Sequence, residues 1–154
     1  MAVGTVTKYN GMEKTLFATA NRQWDDSAAG NVMFCLCSNA YTPAATHTVT
    51  SSLAGIITAG DGAPISATSL TINNTAVPGS TFFASADVDF GSVVTITAKY
   101  LICVQPVTAG TFSATTSVLL WYLDLDTTSS STTVSSSAAS FKIIMPVNGW
   151  FKTL

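Results

Sequence analysis

Between Phe82 and Val104 the chain reads FFASADVDFGSVVTITAKYLICV, and this stretch decides the fold class. Successive side chains of an extended strand point to opposite faces. Phe82, Ala84, Ala86, Val88 and Phe90 therefore share one face, with Phe83, Ser85, Asp87 and Asp89 on the other. Gly91-Ser92 interrupts the run. Val94, Ile96, Ala98, Tyr100, Ile102 and Val104 then alternate with Val93, Thr95, Thr97, Lys99, Leu101 and Cys103. A period of two over this length predicts half-buried β-strand. A dozen extended residues rise roughly 40 Å, so the second run is expected either as a central strand or as one that bends and changes partner.

Working outward, Asn31 to Cys37 is continuously apolar and predicts a short strand covered on both faces. Asn39 to Gly62 is rich in Pro and Gly and reads as connecting structure, with a helical turn expected around Val49 to Ala54. Ile65 to Ile72 alternates, and Asn73 to Ser80 is a turn or loop. Ser117 to Leu125, Phe141 to Met145 and Trp150 to Leu154 carry strand character, and the Ser/Thr tract Asp126 to Ser140 reads as a loop or a solvated edge. Near the N-terminus, Met12, Leu16, Phe17 and Ala20 have helical spacing, so residues 1–24 are expected as an arm or short helix ahead of one domain over 25–154. About eight short strands separated by turn signals predict an all-β, antiparallel sandwich or jelly-roll-like fold.

Composition supports this class. Only 9% of the 154 residues are charged, while the chain contains 24 threonines and 18 serines. Ordinary soluble domains are about a quarter charged, so the polar surface here is built from hydroxyls, which suits sheets better than salt-bridged helices. The six Lys and Arg are scattered singly and the net charge is −2. Nothing in that pattern neutralises a run of phosphates, so no nucleic-acid partner is expected. The longest apolar runs, Val32 to Cys37 and Val118 to Leu123, are too short to span a bilayer as helices. The first residues lack the basic and apolar regions of a signal peptide, so synthesis in a reducing cytoplasm is expected.

Chemistry-bearing residues are few. Cys35, Cys37 and Cys103 make an odd count without the spacing of a zinc site and are expected as buried free thiols. A triad needs a base beside its nucleophile. The one histidine, His47, sits between Thr46 and Thr48 and is expected to anchor a loop. The acidic pairs Asp25/Asp26, Asp87/Asp89 and Asp124/Asp126 are read as solvated turns and strand ends rather than as glycosidase or calcium carboxylates. Trp24, Trp121 and Trp150 are read as core or subunit-contact residues, with a sugar-binding platform as the alternative. No catalytic residue, cofactor or metal ligand is expected.

Three stretches together resemble a family of small virion proteins from tailed bacteriophages. The first is the apolar strand ending in Cys35-Leu36-Cys37-Ser38-Asn39-Ala40-Tyr41-Thr42-Pro43, with Thr46-His47 beyond it. The second is Phe83-Ala84-Ser85-Ala86-Asp87-Val88-Asp89-Phe90, and the third is Thr97-Ala98-Lys99-Tyr100-Leu101-Ile102, with Lys99 where the family has Arg. Ala59-Gly60-Asp61-Gly62 departs from the family's Gly-Tyr and Gly-Gly, and Ser51-Ser52 replaces its acidic residue after Thr-His. The resemblance implies a non-enzymatic capsid decoration or cement protein, made in the host cytoplasm and placed on the capsid exterior. Its implied partners are the major capsid protein and further copies of itself, a homo-oligomeric trimer being favoured by the local threefold symmetry of shell sites. A tail or head-to-tail connector component and a carbohydrate-binding sandwich module are the alternatives. Phe17 and Trp24 in the arm, with Trp150 and Phe151 at the other end, are the expected interface residues.

Overall fold

The computed structural model describes residues 6–10, 12, 31–73, 81–126, 132–146 and 150–153. The early strands are β1 (Val6–Lys8), β2 (Met33–Cys37), β3 (Ile56–Ile57), β4 (Ile65–Ser66) and β5 (Thr71–Asn73). One limb of the later chain carries β6 (Thr81–Ala84), β7 (Val88–Asp89), β8 (Val94–Ala98) and β9 (Tyr100–Gln105). The returning limb carries β10 (Val118–Asp124), β11 (Val134–Ala139), β12 (Lys142–Ile143) and β13 (Phe151–Thr153).

These two limbs form one long antiparallel ribbon. β9 pairs with β10, β8 with β11, β7 with β12, and β6 with β13. The ribbon is creased at Lys99. On one side of the crease, β9 and β10 enter a sheet of order β1-β10-β9-β2-β3, in which β4 also pairs with β2. On the other side, the three remaining pairs, with β5 added outside β6, form a second layer. The all-β, antiparallel class is as expected, and the long run from Val93 to Val104 does bend and change partner.

One core lies between the layers. The main sheet contributes Phe34, Leu101, Leu120, Trp121 and Leu123, and the second layer Phe83, Val88, Phe90, Ile96, Phe141 and Ile143. A second cluster covers the main sheet's other face, where Cys35, Ile102, Val104 and Leu119 meet Tyr41 and Leu53. The segment bearing Leu53 includes a short 3₁₀ turn at Thr50–Ser52, where a helical turn was expected. With both faces covered, β2 and β9 are buried at every residue, which is why their sequences run apolar without alternation.

Strict alternation fails at three places, each with a local cause. Val94, Ile96 and Ala98 face the inter-layer core, but beyond Lys99 it is Leu101 and Cys103 that do so, while Ile102 and Val104 face the opposite cluster. The expected single phase from Val93 to Val104 is therefore corrected by one residue at the crease. Likewise Phe83 is buried ahead of the break at Ser85–Asp87, and Val88 and Phe90 after it, so Phe83 enters the same core as two residues that strict alternation puts on the opposite face. In β10, Leu119 opposes Val104 and Trp121 opposes Cys103, leaving Leu120 as a bulge. Leu120 and Trp121 consequently both enter the same core.

The N-terminal segment expected as an arm or helix contributes an edge strand, because Val6, Thr7 and Lys8 pair with Leu123, Tyr122 and Trp121. Met12 is buried in the inter-layer core, and Leu16, Phe17 and Ala20 lie outside the described residues.

The crease is held by backbone and side chain together. The Lys99 N–H donates to the Cys37 carbonyl at 2.8 Å, and the Leu125 N–H donates to the Lys99 carbonyl at 2.8 Å. Lys99 Nζ lies 3.3 Å from Asp124 Oδ2 and 3.8 Å from Asp126 Oδ2, and 5.4 Å from the centre of the Tyr100 ring. Thr132 Oγ1 donates to Asp126 Oδ2 at 2.5 Å. The Lys99 and Asp126 side chains are only 9% and 7% exposed. Removing one partner of such a pair leaves a charge in a poorly hydrated site, whereas an exposed pair is worth little. Lys99→Ala is expected to cost on the order of 3 kcal/mol, read in urea as a lower midpoint at unchanged slope. A loss below about 0.5 kcal/mol would mean the pair behaves as a surface bridge.

Candidate functional site: the polar clusters and the uncharged ribbon face

On the outer face of the main sheet, β1 and the loop after β2 bring three polar rings into one chain. The Tyr9 and Tyr41 hydroxyls are 2.8 Å apart, and the Tyr41 hydroxyl is 2.9 Å from His47 Nδ1. Tyr9 stacks obliquely on Tyr122, and Tyr100 meets both Tyr41 and Tyr122 edge-on. Burial, reinforced by the bond to Tyr41, drives the Tyr9 phenol far above the ordinary tyrosine range, so it stays protonated. His47 is thus tied to a phenol and fixes the loop that closes over the second core, the anchoring role expected of it.

The thiols are also withdrawn from chemistry. Cys35, Cys37 and Cys103 are free and buried. Burial pushes Cys37 up to about 12 and holds Cys35 and Cys103 well above the usual thiol range. Cys35 and Cys37 share one cluster, as their spacing predicts, while Cys103 faces the other core. Among the described residues, no three His, Cys, Asp or Glu side chains gather as metal ligands. No described helix is long and apolar enough to cross a membrane.

Most described carboxylates hold turns and edges. Asp87 accepts the Met145 N–H at 3.0 Å and faces Lys142 Nζ at 3.1 Å; the backbone bond first, then Lys142, holds its carboxyl below the ordinary value of 3.8. Asp89 Oδ1 accepts the Gly91 N–H at 2.8 Å, and Gly91 has a φ of 126°, a turn conformation that suits glycine. Asp61 Oδ2 accepts the Thr95 N–H at 2.7 Å on the side of β8 away from β11. Asp124 and Asp126 serve the crease. Asp25 and Asp26 lie outside the described residues.

The expected contact residues divide. Trp150 is 4% exposed and belongs to the core: its ring stacks on Trp121 with centres 5.2 Å apart, Phe34 packs against both, and its Nε1 donates to Ser85 Oγ at 2.8 Å. That placement corrects its assignment to an interface, because burying the indole and satisfying its N–H inside the chain leaves no ring to offer outside. It also removes Trp121 and Trp150 from any sugar platform. Phe151 lies in β13 opposite Phe83. Phe17 and Trp24 lie outside the described residues.

Among the described residues, one surface open to a partner is the outer face of the β8–β11 ribbon. Thr95, Thr97, Ser135 and Ser137 are exposed there. Thr97 Oγ1 lies 3.0 Å from Ser135 Oγ, and Thr95 Oγ1 accepts the Ala138 N–H at 3.2 Å, so the hydroxyls form a cross-strand lattice. Val93, next to β8 in the chain, is 73% exposed apolar surface. A groove of about 400 Å³ runs beside β8 between Thr95–Thr97 and the 57–62 loop. The signal for this face was present in the sequence as Thr95-Ile96-Thr97 opposite Ser135-Ser136-Ser137, but the pairing of those two stretches is not local.

No protein-family model, curated protein or solved structure matches the chain. The stretches Cys35–Pro43 with Thr46-His47, Phe83–Phe90 and Thr97–Ile102 supply residues that hold the fold: Tyr41 and His47 in the ring chain, Phe83, Val88 and Phe90 in the core, and Lys99 at the crease.

Two measurements check these assignments. A thiol reagent at pH 8 should find no reactive cysteine in the folded protein and three after denaturation; rapid labelling of the native protein would contradict the burial. The Asp87 carboxyl holds its proton less tightly folded than unfolded, so its stabilising contribution is present above the ordinary aspartate value and lost as pH falls through the lower folded one. Asp87→Asn should therefore lower the melting temperature at neutral pH. The gap to the parent protein should close in acid below that window, and a gap independent of pH would refute the assignment.

Proposed function

We propose that the chain is a non-enzymatic structural protein of a tailed-phage virion, a decoration or cement protein lying over joints between major capsid subunits on the outside of the head, and assembling as a homo-oligomer. The observation that carries this reading is the distribution of charge. Lys99, Asp124, Asp87, Lys142, Asp89 and Asp61 are used within the chain, on the crease, the turns and the strand edges, and the exposed hydroxyls of β8 and β11, with Val93 beside them, make a neutral face. A surface of that kind associates by shape and by short-range hydrogen bonding, without electrostatic steering. The resemblance of Cys35–Pro43, Phe83–Phe90 and Thr97–Ile102 to small phage virion proteins supports the setting.

The test is location and binding. In cryo-EM of the assembled particle, density for the chain is expected over joints of the head shell, with the β8–β11 face toward the capsid protein. Val93→Asp, at a site too exposed to disturb folding, should weaken binding to shells about tenfold, the cost of losing one contact residue of moderate importance. Density on the tail, or on no part of the particle, would refute the proposal.

A further inference from the structure

An unpaired strand edge offers a row of free backbone donors and acceptors, and proteins guard such edges by keeping them short or charged. The peripheral strands here follow that rule with two exceptions, β8 and β11, and at β8 the Asp61 carboxylate accepts the Thr95 N–H. β1, β3, β4, β5, β7, β12 and β13 have two or three residues each, and Lys8, Asp89, Lys142 and Lys152 lie in four of them. β11 has six residues, with β8 on one side and no described strand on the other. From Thr132 to Phe141 the sequence contains no charged residue and no proline.

We propose that β11 pairs antiparallel with β11 of a second copy of this chain, about a two-fold axis near Ser135, so that two ribbons join as a four-stranded sheet of order β8-β11-β11-β8. Antiparallel self-pairing sets a strand against its own residues, so a single charge near the axis would face its twin. β11 has none. Its Ser and Ala side chains are short enough for close backbone approach. The hydroxyl pair Thr97–Ser135 would continue across the axis into the partner's equivalent pair. The irregularity between Ser136 and Ala139, with Ala138 at a φ of 47°, turns the strand away beyond that point and confines the pairing to the stretch around Ser135. The inference concerns the edge of the ribbon rather than its outer face, and it stands whether or not the protein binds a shell.

The experiment is the solution mass of the full chain by light scattering. At about 100 µM, where a micromolar pair is saturated, the expected result is twice the 16.0 kDa chain mass. Ser135→Lys, which places two ammonium groups at the axis, should return the protein to one chain with its circular dichroism unchanged, while Ser135→Thr keeps the pair. Amide hydrogen exchange of the parent protein supplies a readout that needs no variant: exchange around Ser135 should slow as protein concentration rises. A single-chain or three-chain mass, a dimer indifferent to Ser135→Lys, or exchange around Ser135 independent of concentration would each overturn the proposal.

Discussion

The crease at Lys99 is the constraint on which the two layers depend. A ribbon running from Thr81 to Gln105 and back cannot bury one face against anything unless it doubles over. At the corner the chain inserts one residue out of phase, bonds that residue's backbone to Cys37 and Leu125, and sets its ammonium between Asp124 and Asp126. The phase change sends Ala98 and Leu101 into the same core from two different sheets. The bulge at Leu120 makes a matching adjustment on the returning limb, seating Trp121 against Trp150 and Phe34. Core packing in both layers follows from these one-residue shifts, because a shift of one turns every side chain of a strand to its other face.

The same economy governs the polar groups. A chain with 9% charged residues has few ions to place, and those described lie where the backbone turns or a strand would otherwise be exposed. Lys99, Asp124 and Asp126 sit at the crease, Asp89 at the Gly91 turn, Asp61 beside β8, and Asp87 with Lys142 between β7 and β12. Tyr9, Tyr41 and His47 are hydrogen-bonded in a chain, and the thiols are kept protonated by burial. What is left outward is hydroxyl and aliphatic surface, suited to contact.

The strand class was legible because alternation is a local property. Phe82 to Val104 alternates in sequence, and Asn31 to Cys37 has the unbroken apolarity of a strand covered twice. The phase was not legible. Whether Phe83 or Phe82 faces inward depends on the register with residues 151–153, some seventy positions away, and on the break at Ser85–Asp87. Of the two readings offered for the Ser/Thr tract, the solvated edge describes β11. Trp150 misled because a terminal tryptophan has the composition of a contact residue, and only Ser85 and Trp121 beside it reveal a core one. The ribbon face went unread because Thr95–Thr97 and Ser135–Ser137 become a surface only when paired.

The account's central claim is the change of phase at Lys99, and methyl-to-methyl nuclear Overhauser effects in solution test it most directly. The expected pattern groups Val94, Ile96 and Leu101 with Leu120 and Leu123, and Ile102 and Val104 with Leu119 and Leu53. Contacts that instead unite Ile96, Ile102 and Val104 in one cluster, as an uninterrupted strand requires, would contradict it.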